Sequence, residues 1–216
     1  GSNADFALVR YNSDGSLDTT FDGDGKLTTS IGTGHEEGSS VIQQADGRLL
    51  VAGSSFNGTN ENVALLRYNS DGSLDTTFSS DGKLTTAIGP GNDYGQSAIQ
   101  QMDGKLVVAG SNHTSGGADS NVNFGLVRYN SDGTLDTAFD NDGKLTTAFS
   151  YSKDYGQSVI QQTDGKLVVA GYSYHGASDG NSDFALARYN SNGALDATFG
   201  AGGKLTTAIS TAGNDV

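Results

Sequence analysis

The sequence predicts an all-β repeat fold, a β-propeller of four-stranded blades, on three observations. A set of motifs recurs about every 60 residues, each copy reads as short strands between turn signals, and no stretch of 11–18 residues carries a helical apolar period. The segment FALVRYN from Phe6 returns as VALLRYN from Val63, FGLVRYN from Phe124 and FALARYN from Phe184. Arg10, Arg67, Arg128 and Arg188 are therefore spaced 57, 61 and 60 residues apart. The segment VIQQADGRLLVAGS from Val41 returns from Ala98 and Val159, and GKLTT starts at Gly25, Gly82, Gly143 and Gly203.

Within one period, VIQQ and Arg48–Gly53 are two apolar runs joined by an Asp-Gly turn, a hairpin signal. FALVRYN is apolar on both faces up to its Arg, as expected of a strand buried between two neighbouring sheets. An Asn-Ser-Asp-Gly turn follows, then LDTTF, then GKLTT. Equivalent blades need an even number of antiparallel strands, so one of the five candidates is not a full strand. LDTTF is assigned to a turn that buries its Phe, and GKLTT becomes the fourth strand. The chain then holds fourteen strands, about 3.5 blades: a half-blade at 5–34, repeats at 35–91, 92–152 and 153–211, and the start of another at 212–216. Gly1–Ala4 read as a remnant of recombinant expression.

Composition agrees with this reading and narrows the partners. The 32 glycines suit many tight turns, because glycine tolerates positive φ. A net charge of −13 repels phosphate backbones and anionic lipid, which disfavours nucleic acid and membrane surfaces. No apolar run approaches the roughly 18 residues of a membrane helix, so no membrane insertion is expected. Cysteine is absent, and with it disulfides, thiolate catalysis and cysteine zinc sites.

Four copies that approximate F-x-L-x-R-Y (Val63 in the second), D-G-x-L-D-x-x-F (Asn192 in the fourth) and G-K, with three of Q-x-D-G-K/R and two hydrophobics before V-A-G, resemble the bacterial delta-60 repeat family over nearly the whole chain. The resemblance implies a β-propeller of unknown function within a large bacterial protein, often secreted or surface-associated. An extracellular or cell-surface location is the expectation that follows. It implies no reaction, no cofactor and no catalytic residues.

The repeat also shows where the chain is free to vary. The spacing from Ile31 to Ile42, Ile88 to Ile99 and Phe149 to Ile160 is constant at 11, whereas Gly53 to Val63, Gly110 to Phe124 and Gly171 to Phe184 span 10, 14 and 13. All the length variation falls between the second and third strands, at the blade end opposite the Asp-Gly turns. Variable loops on a rigid scaffold are where binding lives. The candidate ligand residues there are Phe56, His113, Tyr172, Tyr174 and His175, with Asn57, Asp119 and Asp179 beside them. Aromatics beside amides suit sugar stacking or a protein partner.

Other acids have structural readings. Arg10/Asp18, Arg67/Asp75, Arg128/Asp136 and Arg188/Asp196 repeat at a spacing of eight and predict one partly buried ion pair per blade. Asp22 and Asp24, and Asp140 and Asp142, alternate as calcium ligands do. The aligned positions are Ser79-Ser80-Asp81 and Gly200-Ala201-Gly202, so a plain turn is preferred and no metal is assigned. A further acidic row, Glu36, Asp93, Asp154 and Asp215, is placed just before the first strand, at a solvated channel mouth able to hold a cation or a polyhydroxyl ligand.

No nucleophile–base pair stands out of the repeat background, and identical repetition argues against an active site. The sequence is therefore read as a non-catalytic repeat scaffold or binding module. A glycan-binding propeller is the alternative, and a glycoside hydrolase a weaker one. Unpaired edges at the two ends of the arc predict self-association into a ring-like dimer of about seven or eight blade positions.

Overall fold

A strand that is apolar on both faces must be covered on both, and repetition supplies the cover, because each blade is the neighbour of the next. The computed structural model describes residues 4–115, 121–149, 153–175 and 181–209, and places fourteen antiparallel strands there. A two-stranded sheet comes first, β1 (Phe6–Val9) paired with β2 (Lys26–Thr29). The first full blade is β3 (Glu36–Gln43), β4 (Leu49–Phe56), β5 (Glu61–Tyr68) and β6 (Lys83–Thr86). The second is β7 (Asp93–Gln100), β8 (Leu106–His113), β9 (Val122–Tyr129) and β10 (Lys144–Thr147). The third is β11 (Asp154–Gln161), β12 (Leu167–His175), β13 (Asn181–Tyr189) and β14 (Lys204–Thr207). No helix among the described residues is long and apolar enough to cross a membrane.

Each sheet is a simple meander whose strands pair in chain order. KLTT is the fourth strand in every copy. The LDTTF segment is a turn in which only Leu17, Leu74, Leu135 and Leu195 make a single bridge, to Tyr11, Tyr68, Tyr129 and Tyr189. Its aromatic ring turns inward, and Phe21, Phe78 and Phe139 are fully buried.

The core lies between blades. Three apolar clusters each draw on two successive sheets, as where Leu50, Val63 and Leu65 of the first full blade meet Leu106, Val108 and Val127 of the next. Burying one such Leu or Val side chain is worth roughly 1.5–3 kcal/mol, so the blades stabilise one another rather than themselves. Each first strand carries a bulge, between Gly38/Ser40, Gly95/Ser97 and Gly156/Ser158. β3 packs beside β7, and β7 beside β11, so the first strands gather on the inner side of the arc.

Candidate ligand-binding face

The strands run between two ends of the arc. One end carries the Asp-Gly and Asn-Ser-Asp-Gly turns, and the other carries the β4–β5, β8–β9 and β12–β13 loops.

At the turn end each Arg is used in the same way. Arg67 Nε lies 2.7 Å from Asp75 Oδ2, and Arg128 Nε lies 2.7 Å from Asp136 Oδ2. The pairs Arg10–Asp18 and Arg188–Asp196 close at 2.8 Å. Each guanidinium also covers the Phe of its own LDTTF-type turn, at 4.4–4.7 Å from the centroids of Phe21, Phe78, Phe139 and Phe199. A third bond leaves the blade. Nη1 of Arg10, Arg67 and Arg128 donates to the carbonyl of Ser70, Ser131 and Ser191 in the following blade. That link spans some 60 residues of sequence, and the eight-residue Arg–Asp spacing gives no hint of it.

The Arg-paired acids at this end are held ionised. Burial of Asp75 favours its neutral form, but hydrogen bonds from Thr77 and then the Arg67 charge outweigh it, and its pKa is lowered. Asp136 is likewise lowered, with burial opposed by Lys105, the Ala138 amide and Arg128. The Thr198 hydroxyl is the main cause that holds Asp196 well below the usual carboxylate range. A second cation reaches three of the four acids from the hairpin turn: Arg48 to Asp75 at 3.1 Å, Lys105 to Asp136 at 3.1 Å and Lys166 to Asp196 at 3.2 Å.

The calcium-like loops are also turns at this end. Asp24 Oδ1 accepts the Lys26 amide and Asp142 Oδ1 the Lys144 amide, each at 2.9 Å. Asp22 and Asp140 adopt left-handed φ of 49° and 48°, and their amides donate to the carbonyls of Asp71 and Asn192 in the next blade. Ser79 takes the same conformation at φ 49°, so the turn does not depend on a carboxylate there. No group of three or more His, Cys, Asp or Glu that could hold a metal ion occurs among the described residues.

The loop end departs from the sequence reading in two respects. Phe56, His113 and His175 are the last residues of β4, β8 and β12, and Tyr172 and Tyr174 lie inside β12, so they are strand residues rather than loop residues. The ladders run past Gly53, Gly110 and Gly171 because β5, β9 and β13 continue beside them, pairing Phe56 with Glu61, His113 with Val122 and His175 with Asn181. What varies is 57–60, 114–121 and 176–180. The side chain of His175, together with Asp119 and Asp179, lies outside the described residues.

The second departure is the acidic row. Glu36, Asp93 and Asp154 open β3, β7 and β11 and are at least 98% buried, so they do not line a solvated channel mouth. They fasten the link from one blade to the next. Asp93 Oδ2 accepts the amides of Ile88 at 2.7 Å and Gly89 at 3.3 Å, while Oδ1 accepts Asn112 Nδ2 at 2.6 Å. Asp154 Oδ2 accepts the Phe149 amide at 2.7 Å. Glu36 Oε1 accepts the Gly32 amide at 3.2 Å and the Ser55 hydroxyl at 3.4 Å, but its Oε2 is buried with no partner. Asp215, the fourth of the row, lies outside the described residues.

Beside this row stands an aromatic group that the repeat does not dictate. Tyr155 stacks on Tyr172 at 5.0 Å and 25°, and Tyr174 meets both edge-on at 6.2 and 5.8 Å. Tyr94 meets His113 edge-on at 5.6 Å. Burial raises the Tyr94 phenol pKa, Glu61, Glu37 and Tyr155 add to it, and a hydrogen bond with Asn92 offsets part of it. Tyr94 stands on β7, which packs against both β3 and β11. Burial also raises the pKa of Glu61; His35 offsets part of this, and Glu37 and Glu36 add to it. The Oε2 of Glu61, like that of Glu36, is buried without a partner. Burial lowers the His113 pKa against the opposing charge of Asp93. Sequence reasoning passed over Glu61, since the aligned residues are Val122 and Ser182 and no pattern marks it.

The comparisons with known proteins speak to the fold. No curated protein matches the chain. A polysaccharide lyase of family PL25, an ulvan lyase whose structure holds -[GlcA(1-4)Rha3S]-, superposes with a TM-score of 0.51 at 11% identity. The match covers 80% of this chain and 45% of the lyase, so the chain spans less than half of that relative. A protein of unknown function from Dyadobacter fermentans superposes with a TM-score of 0.47 at 13% identity, over 88% of this chain and 66% of the other. At such identities the likeness is one of fold alone. A family described as a domain of unknown function (DUF5122) β-propeller matches residues 1–21, 44–78, 101–139 and 162–199. The last three segments each run from the Gln that opens the hairpin turn to the Phe beneath the Arg, and they leave out Glu36, Tyr94 and Tyr155. With more than half of its residues matched, the chain belongs to the DUF5122 β-propeller family, whose function is unknown.

Proposed function

We propose that the chain is a non-catalytic scaffold and binding module, and that its loop end takes a neutral glycan. The observation that carries this reading is the Tyr155, Tyr172 and Tyr174 group, which breaks the repeat at the blade end where loop length varies. Tyrosine faces stack on sugar rings, and tyrosine gives up little conformational entropy in doing so. A net charge of −13 disfavours uronate- or sulfate-rich chains. The finer resemblance to delta-60 repeats supports a setting outside the cell, in a larger bacterial protein. A panel of neutral and acidic oligosaccharides is the test. Binding confined to neutral members, weakened at least about tenfold by Tyr172→Ala, is expected, a loss of about 1.4 kcal/mol. Binding that Tyr172→Ala leaves intact contradicts the reading.

Self-association belongs to the same proposal. Val9 and Tyr11 are exposed at one end of the arc, and Ile160, Phe184, Leu205 and Ile209 at the other. Their counterparts Tyr68, Tyr129 and Tyr189, or Val63 and Phe124, are buried between blades. Two arcs meeting end to end would cover both faces in a ring-like dimer of about seven or eight blade positions. Light scattering at low micromolar concentration is expected to give twice the chain mass, and a stable monomer contradicts it.

A further inference from the structure

An asparagine followed by glycine is chemically labile. Once the glycine backbone nitrogen loses its proton, it can attack Cγ of the asparagine and close a five-membered ring. The two atoms are already held close within one chain, and glycine adds no Cβ to obstruct the closure. The sequence holds two such pairs, Asn57–Gly58 and Asn192–Gly193. We propose that Asn57 is a site of spontaneous modification, turning into aspartate and isoaspartate in the folded protein while Asn192 stays intact.

The nucleophile is free in one pair and engaged in the other. Asn57, Gly58 and Thr59 are exposed in the β4–β5 loop, and the Gly58 amide donates no hydrogen bond among the described residues. A Cβ placed at Gly58 would meet nothing within 4 Å, so the segment has room to form the ring. Gly193 is buried, and its amide donates to the Asn190 carbonyl at 3.0 Å. A Cβ there would come within 3.1 Å of the Asp140 amide nitrogen. The Asn192 carbonyl is fixed as well, because it accepts that same Asp140 amide from the preceding blade at 2.9 Å. Ring closure at Asn192 has to break the Gly193 bond first. At Asn57 the attacking nitrogen has no bond to lose.

The electrophile differs too. Asn57 Oδ1 accepts the amides of Thr59 at 2.9 Å and Asn60 at 3.0 Å. Two donors on that oxygen draw charge from Cγ and stabilise the negative oxygen that forms on attack, as an oxyanion hole does. The loop holds these donors in place. The Asn57 amide donates to the Asn60 carbonyl at 3.0 Å, and Asn60 Nδ2 donates to the Pro90 carbonyl at 2.9 Å. Asn192 Oδ1 accepts the Ala194 amide alone among the described residues, at 3.1 Å.

The chemistry needs only water and hydroxide. The Gly58 nitrogen gives its proton to hydroxide and bonds to Cγ, the bond from Cγ to Nδ2 breaks, and that nitrogen leaves as ammonia. Water then opens the cyclic imide at one of its two carbonyls. Opening at Cγ restores the main chain with an aspartate at position 57. Opening at the α-carbonyl leaves the main chain running through Cγ, as isoaspartate. Either product sets a carboxylate where the loop had an amide, four residues before Glu61, whose pKa burial already raises. The loop end gains negative charge as the protein ages.

The test is peptide mapping by tandem mass spectrometry, on the whole chain kept folded at mildly alkaline pH and sampled over weeks. Synthetic peptides spanning residues 49–67 and 189–204 run beside it as unfolded references. In the protein, Asn57 is expected to gain about one dalton as NH2 gives way to OH, and to yield both isomers. Its rate is expected to stay within about threefold of its free peptide, because the folded loop leaves the nitrogen free. Asn192 is expected to convert at least about tenfold more slowly in the protein than in its peptide, since its bonds must open first. Urea should return Asn192 to its peptide rate. An Asn192 that converts as fast as Asn57 in the folded chain overturns the proposal, as does an Asn57 slower than its peptide by more than that margin. Aspartate without isoaspartate would show direct hydrolysis in place of ring closure, and that too overturns it.

Discussion

The two ends of the blades are made from the same strands and obey different rules. At the turn end Arg, Asp and Phe recur in every blade, and the Arg reaches into the next blade. A change there breaks a contact within its own blade and one between blades, so each copy keeps the same residues. At the loop end the aligned second positions of the first strands are Glu37, Tyr94 and Tyr155. Most of the acids follow the same division. Hydrogen bonds and cations lower the pKa of Asp71, Asp75, Asp132, Asp136 and Asp196 at the turn end, where burial and the Asp142 charge raise Asp140, and burial raises Glu61 and Asp93 at the loop end. The repeated turn-end aspartates hold charge; Glu61 and Asp93 hold it at a cost.

The largest effect is expected from breaking the turn end in the middle of the array. Arg128 is almost wholly buried, and Arg128→Ala leaves Asp136 with the half-buried Lys105 as its one remaining cation among the described residues and strips Phe139 of its cover. Removing one partner of a buried pair costs about 3–5 kcal/mol, which lowers Tm by about 10 °C in a chain of this size. Lys26→Ala, at an exposed position of β2, is expected to stay within about 0.5 kcal/mol. Differential scanning calorimetry compares them, and equal small shifts would remove the Arg from its central role.

The second test uses pH and sharpens the contrast in sign. Turn-end aspartates with lowered pKa contribute stability that is present above about pH 4 and is lost as pH falls through their lowered folded values. Glu61 has a raised pKa, so the folded state binds its proton more tightly than the unfolded chain does. Its contribution therefore falls as pH rises from about 4.3 through the raised folded value, and stays low above it. Glu61→Gln is expected to raise Tm at pH 7 by a few degrees and to flatten the dependence on the alkaline side of pH 5. A lower Tm at pH 7 would show that the Glu61 carboxylate is stabilising as it stands.

The smallest effect is expected from calcium. Asp24 and Asp142 already accept backbone amides, and the turns keep their shape with Ser79 in place of a carboxylate. Millimolar calcium should move Tm by less than about 1 °C, and a large shift reversed by chelation would make these turns binding loops.

Much of this fold is legible in the sequence, because strand patterning and turn chemistry are local. The period follows from repetition, the hairpin at Gln44–Gly47 from its turn signal, and parity shows that one of five candidate strands is not a full strand; the structure is what makes KLTT rather than LDTTF the fourth. Contacts between blades are not local. Nothing in FALVRYN says that Arg10 donates to Ser70, since that bond depends on how two sheets are rotated against each other. The same limit explains the acidic row. Glu36, Asp93 and Asp154 look like solvated residues before a strand, and only the packed arc shows their carboxylates turned onto backbone amides or buried side chains. Phe56 and His113 were misplaced in loops for a related reason. Loop length was readable, but how far each ladder continues depends on the partner strand.

The division of labour between the two ends is tested most directly by crossing two substitutions with two readouts. Arg128→Ala and Tyr172→Ala are each measured for Tm and, below their melting points, for binding to the best neutral oligosaccharide. The account predicts that Arg128→Ala lowers Tm by about 10 °C and leaves affinity within about twofold, while Tyr172→Ala shifts Tm by only about 1–3 °C and weakens binding at least about tenfold. If Arg128→Ala abolished binding in the folded protein, or Tyr172→Ala destabilised the chain as much as Arg128→Ala does, the two ends would not be separate in function and the account would be wrong.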